Sequence, residues 1–258
     1  AGLEALFEQV KPQAVIHLAA QAGVRYSLDN PQAYVDANIT GFVNMLELCR
    51  HRGVEHLVYA SSSSVYGDSA TPPFSEEQRI DRPRSLYAAT KAANELMAYT
   101  YAQLFGLKAT GLRFFTVYGP WGRPDMAPLL FSRAVLAGRP IQVFNEGRMQ
   151  RDFTHVSDIV AGILGALAHP SAEPVAHQVF NLGNHTPIEL EYFISVIEQA
   201  AGVPAQKVYK PMQPGDMVRT MADTTRARAA FGFEPRMPIE QGLPPVVAWC
   251  RDYFGDAA

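Results

Sequence analysis

The chain has 258 residues, of which 48% are hydrophobic and 18% are charged, and its formal net charge at pH 7 is −3. This length allows one large domain or two closely joined ones, and the near-neutral charge gives no reason to expect a nucleic-acid partner. No apolar run approaches the roughly 18 residues of a membrane-spanning helix, so no membrane partner is expected. The two cysteines, Cys49 and Cys250, match no metal or disulfide pattern. They indicate a reducing compartment, and we expect a cytoplasmic protein.

Helical and strand patterns alternate along the first half of the chain. Apolar runs predict three strands, at residues 14–20, 56–60 and 112–115. The first of these reads as a strand buried on both faces. Helical spacing predicts two helices, over residues 33–52 and 85–105, each followed by a glycine as a stop signal. Strands that alternate with helices indicate a parallel sheet with crossover connections.

The pattern becomes less regular after Gly119. Helices are predicted over residues 129–137, 157–168 and 224–231, and strands over 141–144 and 178–182. The segment Thr186-Pro-Ile-Glu189 reads as a capping box with proline at the first helical position. It predicts a helix that runs from there to about Ala201.

The most informative local pattern is Tyr87-Ala-Ala-Thr-Lys91 in the helix predicted over 85–105. Residues four apart share one helix face, so the Lys91 ammonium can lie beside the Tyr87 phenol. A free tyrosine has a pKa near 10, so a base that works near pH 7 needs about 4 kcal/mol of stabilisation of its anion. A nearby cation in a partly dry site supplies much of that stabilisation. Taken alone, the pattern also fits a tyrosine and a lysine on a surface helix.

Four serines, Ser61 to Ser64, follow the second predicted strand and precede Val65-Tyr-Gly67. Ligands of open parallel sheets bind at the carboxyl ends of the strands. Serine hydroxyls at such a position can hydrogen-bond a substrate hydroxyl or a developing carbonyl. A serine-rich loop that only caps a helix is the alternative interpretation.

Together with Arg113-Phe-Phe-Thr-Val-Tyr-Gly-Pro120, these motifs resemble the extended short-chain dehydrogenase/reductase family, and within it the NAD-dependent nucleotide-sugar epimerases and dehydratases. The resemblance implies an α/β fold: a partial Rossmann-type parallel sheet with helices on both faces, plus a smaller mixed C-terminal substrate domain. Residues 1–118 would be the remainder of the NAD-binding domain, with 155–183 returning to it. Residues 119–154 and 184–258 would bind the nucleotide sugar.

The resemblance also implies roles for individual residues. The expected catalytic set is Tyr87 as the base, Lys91 as its electrostatic partner, Ser62 and Ser64. The expected NAD contacts are Leu18, Ala19, Ala20, Asn38, Tyr87, Lys91 and Phe114. The expected substrate contacts are Arg25, Ser62, Ser63, Thr116, Arg123, Arg151 and Asp216. No metal is expected. A surface ion pair is an equal alternative for Arg25, and a solvated loop arginine is the alternative for Arg123.

One family motif does not occur in this sequence: the Gly-x-x-Gly-x-x-Gly loop whose backbone N–H groups approach the NAD pyrophosphate. The strand at Val15 resembles the fourth strand of the family, so roughly 60 residues, or two βαβ units, are expected to be missing before it. We therefore expect the isolated chain to bind NAD poorly. A non-catalytic fragment that binds UDP-sugars stays open as an alternative.

The residues around the serines bear on the reaction. In the family, 4,6-dehydratases carry two acidic residues where this chain has Ser63 and Ser64, and UDP-glucuronate decarboxylases carry one, at the position of Ser64. The absence of these acids favours epimerisation at C4 of the sugar. The loop from Thr116 to Met126 resembles that of UDP-glucuronate 4-epimerases, where Arg123 would hold the sugar carboxylate and Thr116 would add a hydrogen bond. We therefore predict conversion of UDP-glucuronate to UDP-galacturonate. Other nucleotide-sugar epimerases and a decarboxylase are the alternatives.

The resemblance to the family also implies a homodimer through helices 33–52 and 85–105.

Overall fold

The computed structural model describes residues 2–212 and 217–255. Their contacts divide the chain into two compact units. The first comprises Ala1–Phe114, Ala161–Leu182 and Asp223–Phe233, and the second comprises Phe115–Val160, Gly183–Ala222 and Glu234–Ala258. Within the described ranges, every helix is too short or too polar to cross a lipid bilayer.

The elements up to Phe114 belong to the first unit. In chain order they are α1 (Gly2–Val10), β1 (Ala14–His17), α2 (Tyr26–Asp29), α3 (Pro31–Tyr34), a π-helix (Val35–Thr40), α4 (Gly41–His51), β2 (His56–Ser62), a 3₁₀ helix (Ser63–Tyr66), α5 (Leu86–Phe105) and β3 (Lys108–Phe114).

The remaining elements are shared between the units. In chain order they are β4 (Thr116–Tyr118), α6 (Ala127–Leu136), β5 (Ile141–Phe144), a 3₁₀ turn (Asn145–Gly147), β6 (Gln150–Arg151), β7 (Phe153–His155), α7 (Val156–Ala168), β8 (His177–Leu182), β9 (Ile188–Glu189), α8 (Leu190–Ala201), β10 (Lys207–Lys210), α9 (Thr225–Phe231) and α10 (Ile239–Phe254).

The first unit is built on a parallel sheet with strand order β1-β2-β3-β8, which confirms the predicted α/β class. The central strand β2 is buried along nearly its whole length, as expected for a strand covered on both faces. The register places Ser61 opposite Arg113 and Ser62 opposite Phe114. The segment from Ser61 to Tyr66, called the serine segment below, therefore begins where β2 and β3 end together.

The expectation that the first strand is buried on both faces is wrong. Ile16 in β1 is 39% exposed, and Leu18 just after the strand is 49% exposed. The reason lies in the strand order, because β1 stands at the end of the sheet and pairs only with β2 among the described strands. An edge strand keeps one flank open whatever its composition.

The helix predicted over 33–52 is longer and less regular than its apolar spacing indicates. Helical structure begins at Pro31, where the Asn30 side chain caps the first turn, and continues to His51. A π-helix occupies Val35–Thr40 in its middle. Such wide turns add a residue to the helix and are frequent at functional sites. Here the wide turn contains Asn38, which is 2% exposed.

The described residues of the second unit form three two-stranded sheets. Strands β4 and β7 are parallel, β5 and β10 are parallel, and β6 and β9 are antiparallel. Helices α6, α8 and α10 contribute most of its apolar core, in which the rings of Phe153 and Phe193 stack with centroids 4.3 Å apart.

The capping box predicted at Thr186–Glu189 is wrong. Residues Ile188 and Glu189 form strand β9, and helix α8 begins only at Leu190. The backbone of Ile188 pairs with Arg151 of β6, so strand pairing holds these residues extended instead of helical. The predicted end is confirmed, since α8 stops at Ala201 with Gly202 in the left-handed conformation at φ 76°.

Helix α9 belongs to the first unit, whereas the prediction placed all of residues 184–258 in the nucleotide-sugar-binding domain. Its Phe231 ring lies edge-on against Phe180 of β8, with centroids 5.0 Å apart, and the Arg226 guanidinium lies over the same Phe180 ring. These contacts assign residues Asp223–Phe233 to the first unit.

Candidate active site

The serine segment is the first part of the candidate site. Ser62 is 8% exposed, and its Oγ accepts a hydrogen bond from the Ser64 N–H and donates one to Ser64 Oγ, both at 3.2 Å. Ser62 is thus the cap of the 3₁₀ helix that Ser63 begins. The alternative interpretation, that these serines cap a helix, is therefore correct for Ser62. The same capping brings the hydroxyls of Ser62 and Ser64 into contact.

Helix α5 brings the tyrosine and the lysine to the same strand end. The Ser85 side chain caps its N-terminus by accepting from the Ala88 N–H at 3.1 Å. Tyr87 and Lys91 are four residues apart, about one turn, so they share one face of the helix. The Lys91 Nζ donates to the carbonyl oxygen of Ala60 at 2.9 Å, two residues before Ser62.

The Lys91 ammonium is almost fully buried, at 4% exposure. Burial lowers its pKa to about 8, because the charged form loses hydration. Within residues 2–212 and 217–255, no carboxylate forms an ion pair with it. A cation in such surroundings attracts a nearby anion more strongly than a hydrated one does.

The Tyr87 ring is held by an aromatic neighbour. It lies edge-to-face with the ring of Tyr34, with centroids 6.1 Å apart. Tyr34 is fully buried, and its hydroxyl donates to the carbonyl oxygens of Gly23 and Ala22 at 2.5 and 3.0 Å. The loop after β1 therefore determines where this pair of rings lies.

Asn38 ties the same loop to helix α5. Its Oδ1 accepts from the Gln21 N–H at 2.8 Å, and its Nδ2 donates to the Gln21 carbonyl oxygen and to Thr90 Oγ1, both at 3.0 Å. Its own carbonyl oxygen accepts from Asn94 at 2.7 Å. Both protons of the side-chain amide are used within the protein, so Asn38 positions the loop that carries Leu18, Ala19 and Ala20.

The other candidate residues of the first unit are exposed or half-buried. Leu18 and Ala19 are exposed and Ala20 is half-buried, as is Phe114 at the end of β3. Arg25 is exposed on the loop before α2. His17 was not among the candidates; its ring lies 5.7 Å from that of Phe42, and burial and the Lys91 charge lower its pKa.

The remaining candidates lie in the second unit. The half-buried Thr116 is in β4, and its N–H donates to the Asp152 carbonyl oxygen at 3.1 Å. Arg151, the neighbour of Asp152, donates to the Val218 carbonyl oxygen at 3.2 Å. Asp216 lies outside the described residues.

Arg123 is exposed and already holds a carboxylate. Its Nε donates to Asp125 Oδ1 at 3.1 Å, and its Nη2 donates to the other oxygen, Oδ2. This bidentate geometry is the one by which a guanidinium recognises a carboxylate. An exposed pair of this kind contributes about 0–1 kcal/mol, so a better placed carboxylate can displace Asp125 at little cost.

A buried carboxylate that the sequence reasoning missed organises this part of the second unit. Asp152 is 0% exposed. One of its oxygens accepts from Thr154 Oγ1 and the Asn184 N–H, at 3.1 and 2.6 Å, and the other accepts from the N–H groups of His185 and Ala222, at 3.1 and 2.9 Å. Burial raises its pKa, and these hydrogen bonds oppose that effect.

No group of three or more His, Cys, Asp or Glu side chains in the described ranges is arranged to hold a metal ion.

Comparison with known proteins identifies the family. Residues 1–183 match the NAD dependent epimerase/dehydratase family. The chain is 47% identical over 265 residues to the probable UDP-glucuronate 4-epimerase of Rhizobium meliloti, an alignment that covers 96% of this chain and 77% of that protein. It is 47% identical over 266 residues to UDP-glucuronate 4-epimerase 2 of Arabidopsis thaliana, covering 98% and 61%.

A solved structure agrees with this assignment. The UDP-glucuronic acid 4-epimerase from Bacillus cereus, in complex with UDP-glucuronic acid and NAD, superposes with a TM-score of 0.90 at 31% identity, covering 98% of this chain and 79% of that one. The chain belongs to the NAD dependent epimerase/dehydratase family. It is an enzyme of the isomerase class, and its cofactor is NAD.

The residues of the first unit fit one end of this cofactor. The buried Lys91 ammonium has more N–H donors than its contact with Ala60 uses, which suits the hydroxyls of a ribose. The exposed Leu18 and Ala19 offer an apolar surface on the loop after β1. The glycine-rich loop that would approach the pyrophosphate does not occur among the 258 residues, so the fit concerns the nicotinamide end.

We predict that Asp152→Asn lowers the melting temperature of the protein. An amide places its NH₂ where one carboxylate oxygen now accepts two hydrogen bonds, and leaving a buried donor unmet costs about 1–3 kcal/mol. Asp158→Asn is the matched control, because Asp158 accepts one backbone hydrogen bond, from Met237 at 3.0 Å. Calorimetry that finds equal losses for the two variants would contradict the role given to Asp152.

Proposed function

We propose that this enzyme interconverts UDP-glucuronate and UDP-galacturonate by epimerisation at C4 of the sugar. The observation that carries the proposal is the face of α5, where Tyr87 lies one turn from the buried ammonium of Lys91. That ammonium donates to the carbonyl oxygen of Ala60, the residue immediately before the serine segment. Relatives named UDP-glucuronate 4-epimerase, and a neighbour solved with UDP-glucuronic acid and NAD, support the choice of substrate.

In this proposal Tyr87 is the general base. As phenolate it takes the proton of the sugar 4-hydroxyl, while the Lys91 charge stabilises the phenolate and a Ser62 hydrogen bond orients the hydroxyl. NAD, when bound, supplies the group that accepts the hydride from C4 and returns it. Between these events the 4-keto sugar turns over, so the hydride returns to the opposite face and Tyr87 gives its proton back to the oxygen. Ser63 and Ser64 offer no carboxylate for elimination, which supports epimerisation over dehydration.

The second unit would supply the contacts to the rest of the substrate. Arg123 would bind the sugar carboxylate in place of Asp125, and Thr116 would add a hydrogen bond. We assign the phosphates to Arg151 and the uridine ribose to Asp216. Holding the carboxylate has a chemical purpose, because a 4-keto uronic acid is a β-keto acid and tends to lose CO₂.

We also propose that the enzyme is a homodimer through helices 33–52 and 85–105. The support is the set of exposed apolar side chains on α5, which includes Leu96 at 67%, Tyr99 at 48% and Leu104 at 65% exposure. Near the C-terminal ends of α4 and α5, the Arg50 guanidinium lies 3.8 Å from the centre of the Phe105 ring. Apolar side chains repeated on one exposed helix are typical of an interaction surface.

A cytoplasmic location is proposed on the state of the cysteines. Cys49 and Cys250 are both buried free thiols. Burial raises their pKa values, to about 12 and about 11, which keeps them protonated and unreactive. Cell fractionation followed by immunoblotting would measure the location directly.

The first prediction of this proposal concerns the base. Tyr87→Phe should lower kcat by at least about 10²-fold, because a positioned general base typically contributes 10²–10⁴-fold, while the affinity for UDP-glucuronate changes little. Tyr253→Phe is the control, since Tyr253 is 58% exposed on α10 and has no part in the proposed chemistry or interface. Retention of more than about a tenth of kcat in Tyr87→Phe would reject Tyr87 as the base.

The second prediction concerns the choice of substrate. Arg123→Ala should weaken kcat/KM for UDP-glucuronate by about 10- to 150-fold, the loss of one charge-assisted hydrogen bond, and leave UDP-glucose binding little changed. Asp125→Asn removes the competing charge and should keep or improve affinity for UDP-glucuronate. Arg139→Ala, at another exposed arginine of this unit, is the control. Product analysis by NMR would also detect decarboxylated 4-keto pentose. An unchanged ratio between the two substrates would make Arg123 an ordinary loop arginine.

The third prediction concerns assembly. Leu96→Glu places a charge in the proposed interface and should halve the mass measured by light scattering after size exclusion. Leu28→Glu is the control, because Leu28 is also highly exposed, at 75%, but lies on α2. A wild-type chain that is monomeric at micromolar concentration, or a Leu96→Glu variant with the wild-type mass, would contradict the interface.

A further inference from the structure

A buried ion pair lies directly behind the serine segment. Arg113 and Glu95 are 4% and 6% exposed. They form two parallel hydrogen bonds, from Arg113 Nε to Glu95 Oε1 at 2.9 Å and from Nη2 to Oε2 at 2.7 Å. Glu95 Oε1 also accepts from Ser61 Oγ at 2.5 Å. One carboxylate therefore joins α5, β2 and β3.

Helix α5 holds the end of β2 at two successive points. Tyr87, Lys91 and Glu95 are each four residues apart, so they share one helix face. Lys91 holds the carbonyl oxygen of Ala60, and Glu95 holds the hydroxyl of Ser61. The two contacts fix the spacing between the turn that carries Tyr87 and the strand end that leads into Ser62.

The ion pair also reaches the far end of the serine segment. The Arg113 guanidinium lies 4.8 Å from the centre of the Tyr66 ring, and Tyr66 is the last residue of the 3₁₀ helix. The Tyr66 hydroxyl in turn donates to Asn181 Oδ1 at 2.7 Å. Residues 62–65 thus lie between Ser61 and Tyr66, and both of these flanking residues contact the same ion pair.

Stability alone does not account for a pair of charges at this place. Removing two charges from water is costly, and apolar replacements of buried ion pairs are often neutral or stabilising. An apolar pair would lack direction, because it would offer no acceptor to the hydroxyl of Ser61 and no cation to the ring of Tyr66.

We propose that Glu95 and Arg113 are positioning residues for the reaction: they hold both ends of the serine segment and so aim the hydroxyls of Ser62 and Ser64 at the sugar hydroxyl that Tyr87 deprotonates. The proposal rests on the function proposed above. Displacing a reacting group by about 1 Å costs on the order of 10²-fold in rate, so a modest loosening of this segment has a measurable effect.

Two variants separate positioning from folding. Ser61→Ala cuts the tie to the strand and leaves the ion pair, whereas Glu95→Met/Arg113→Met replaces the whole pair with apolar side chains. In the NAD-loaded enzyme we expect kcat to fall about tenfold or more in both variants and KM for the UDP-sugar to stay within about threefold. The double variant should keep a melting temperature close to that of wild type. Ser132→Ala is the matched control, since Ser132 is fully buried and donates to the Pro128 carbonyl oxygen at 2.6 Å.

Hydrogen exchange supplies a readout that does not depend on turnover. Amides of Ser62 to Tyr66 should exchange at least about tenfold faster in both variants, with those of β3 and β8 unchanged, because only a local region opens. Wild-type exchange in this segment, or wild-type kcat in the folded double variant, would overturn the proposal. Uniformly faster exchange across the sheet would also overturn it, since that is the sign of a merely structural pair. If the wild-type enzyme does not epimerise UDP-sugars, the proposed function fails, and exchange alone decides the positioning.

Discussion

The buried ammonium of Lys91 constrains the whole of the first unit. The Lys91 Nζ donates a hydrogen bond to the Ala60 carbonyl oxygen near the end of β2. In the part of the chain that the structure describes, no carboxylate forms an ion pair with this ammonium. The hydrogen bonds of Glu95 to Ser61 and Arg113 keep the helix that carries Lys91 docked on the sheet, and the docked helix holds this charge away from water. The loss of hydration that lowers the Lys91 pKa to about 8 also strengthens its attraction for an anion. The property that makes this residue costly for folding is the one that suits it to stabilise a phenolate.

The second unit uses the same principle with the opposite sign. There the buried charge is the carboxylate of Asp152, and N–H and O–H dipoles from three segments converge on it. Oriented dipoles hold a charge in place without neutralising it. Arg151 is its neighbour in the chain, and the Thr116 N–H donates to its backbone carbonyl oxygen, so two residues proposed to contact the substrate lie beside this buried group. Each unit therefore has its own internal anchor for the residues assigned to the substrate.

Local patterns predicted what depends on local geometry. The i, i+4 spacing of Tyr87 and Lys91 and the helix stop at Gly106, found in the left-handed conformation at φ 68°, needed no knowledge of neighbours. The exposure of β1 and the extended pairing of Ile188 depend on which segment lies alongside, which periodicity does not encode. The spacing of Glu95 from Lys91 was visible in the sequence. Its partner Arg113 becomes evident only when β3 is aligned with β2 in register.

With Arg123 in the role proposed for it, binding of the sugar carboxylate would be an exchange reaction, because Asp125 occupies the guanidinium. A carboxylate two residues away on the same loop is present at a high effective concentration, which a free acid in solution must outcompete. A small carboxylate such as acetate has no other anchor and loses that competition. A uronic acid tethered through its nucleotide would enter with an effective concentration of its own, because the rest of the molecule would already be bound. Since the exposed pair contributes only about 0–1 kcal/mol, its internal carboxylate would disfavour ligands held at a single point and yield readily to one held at several.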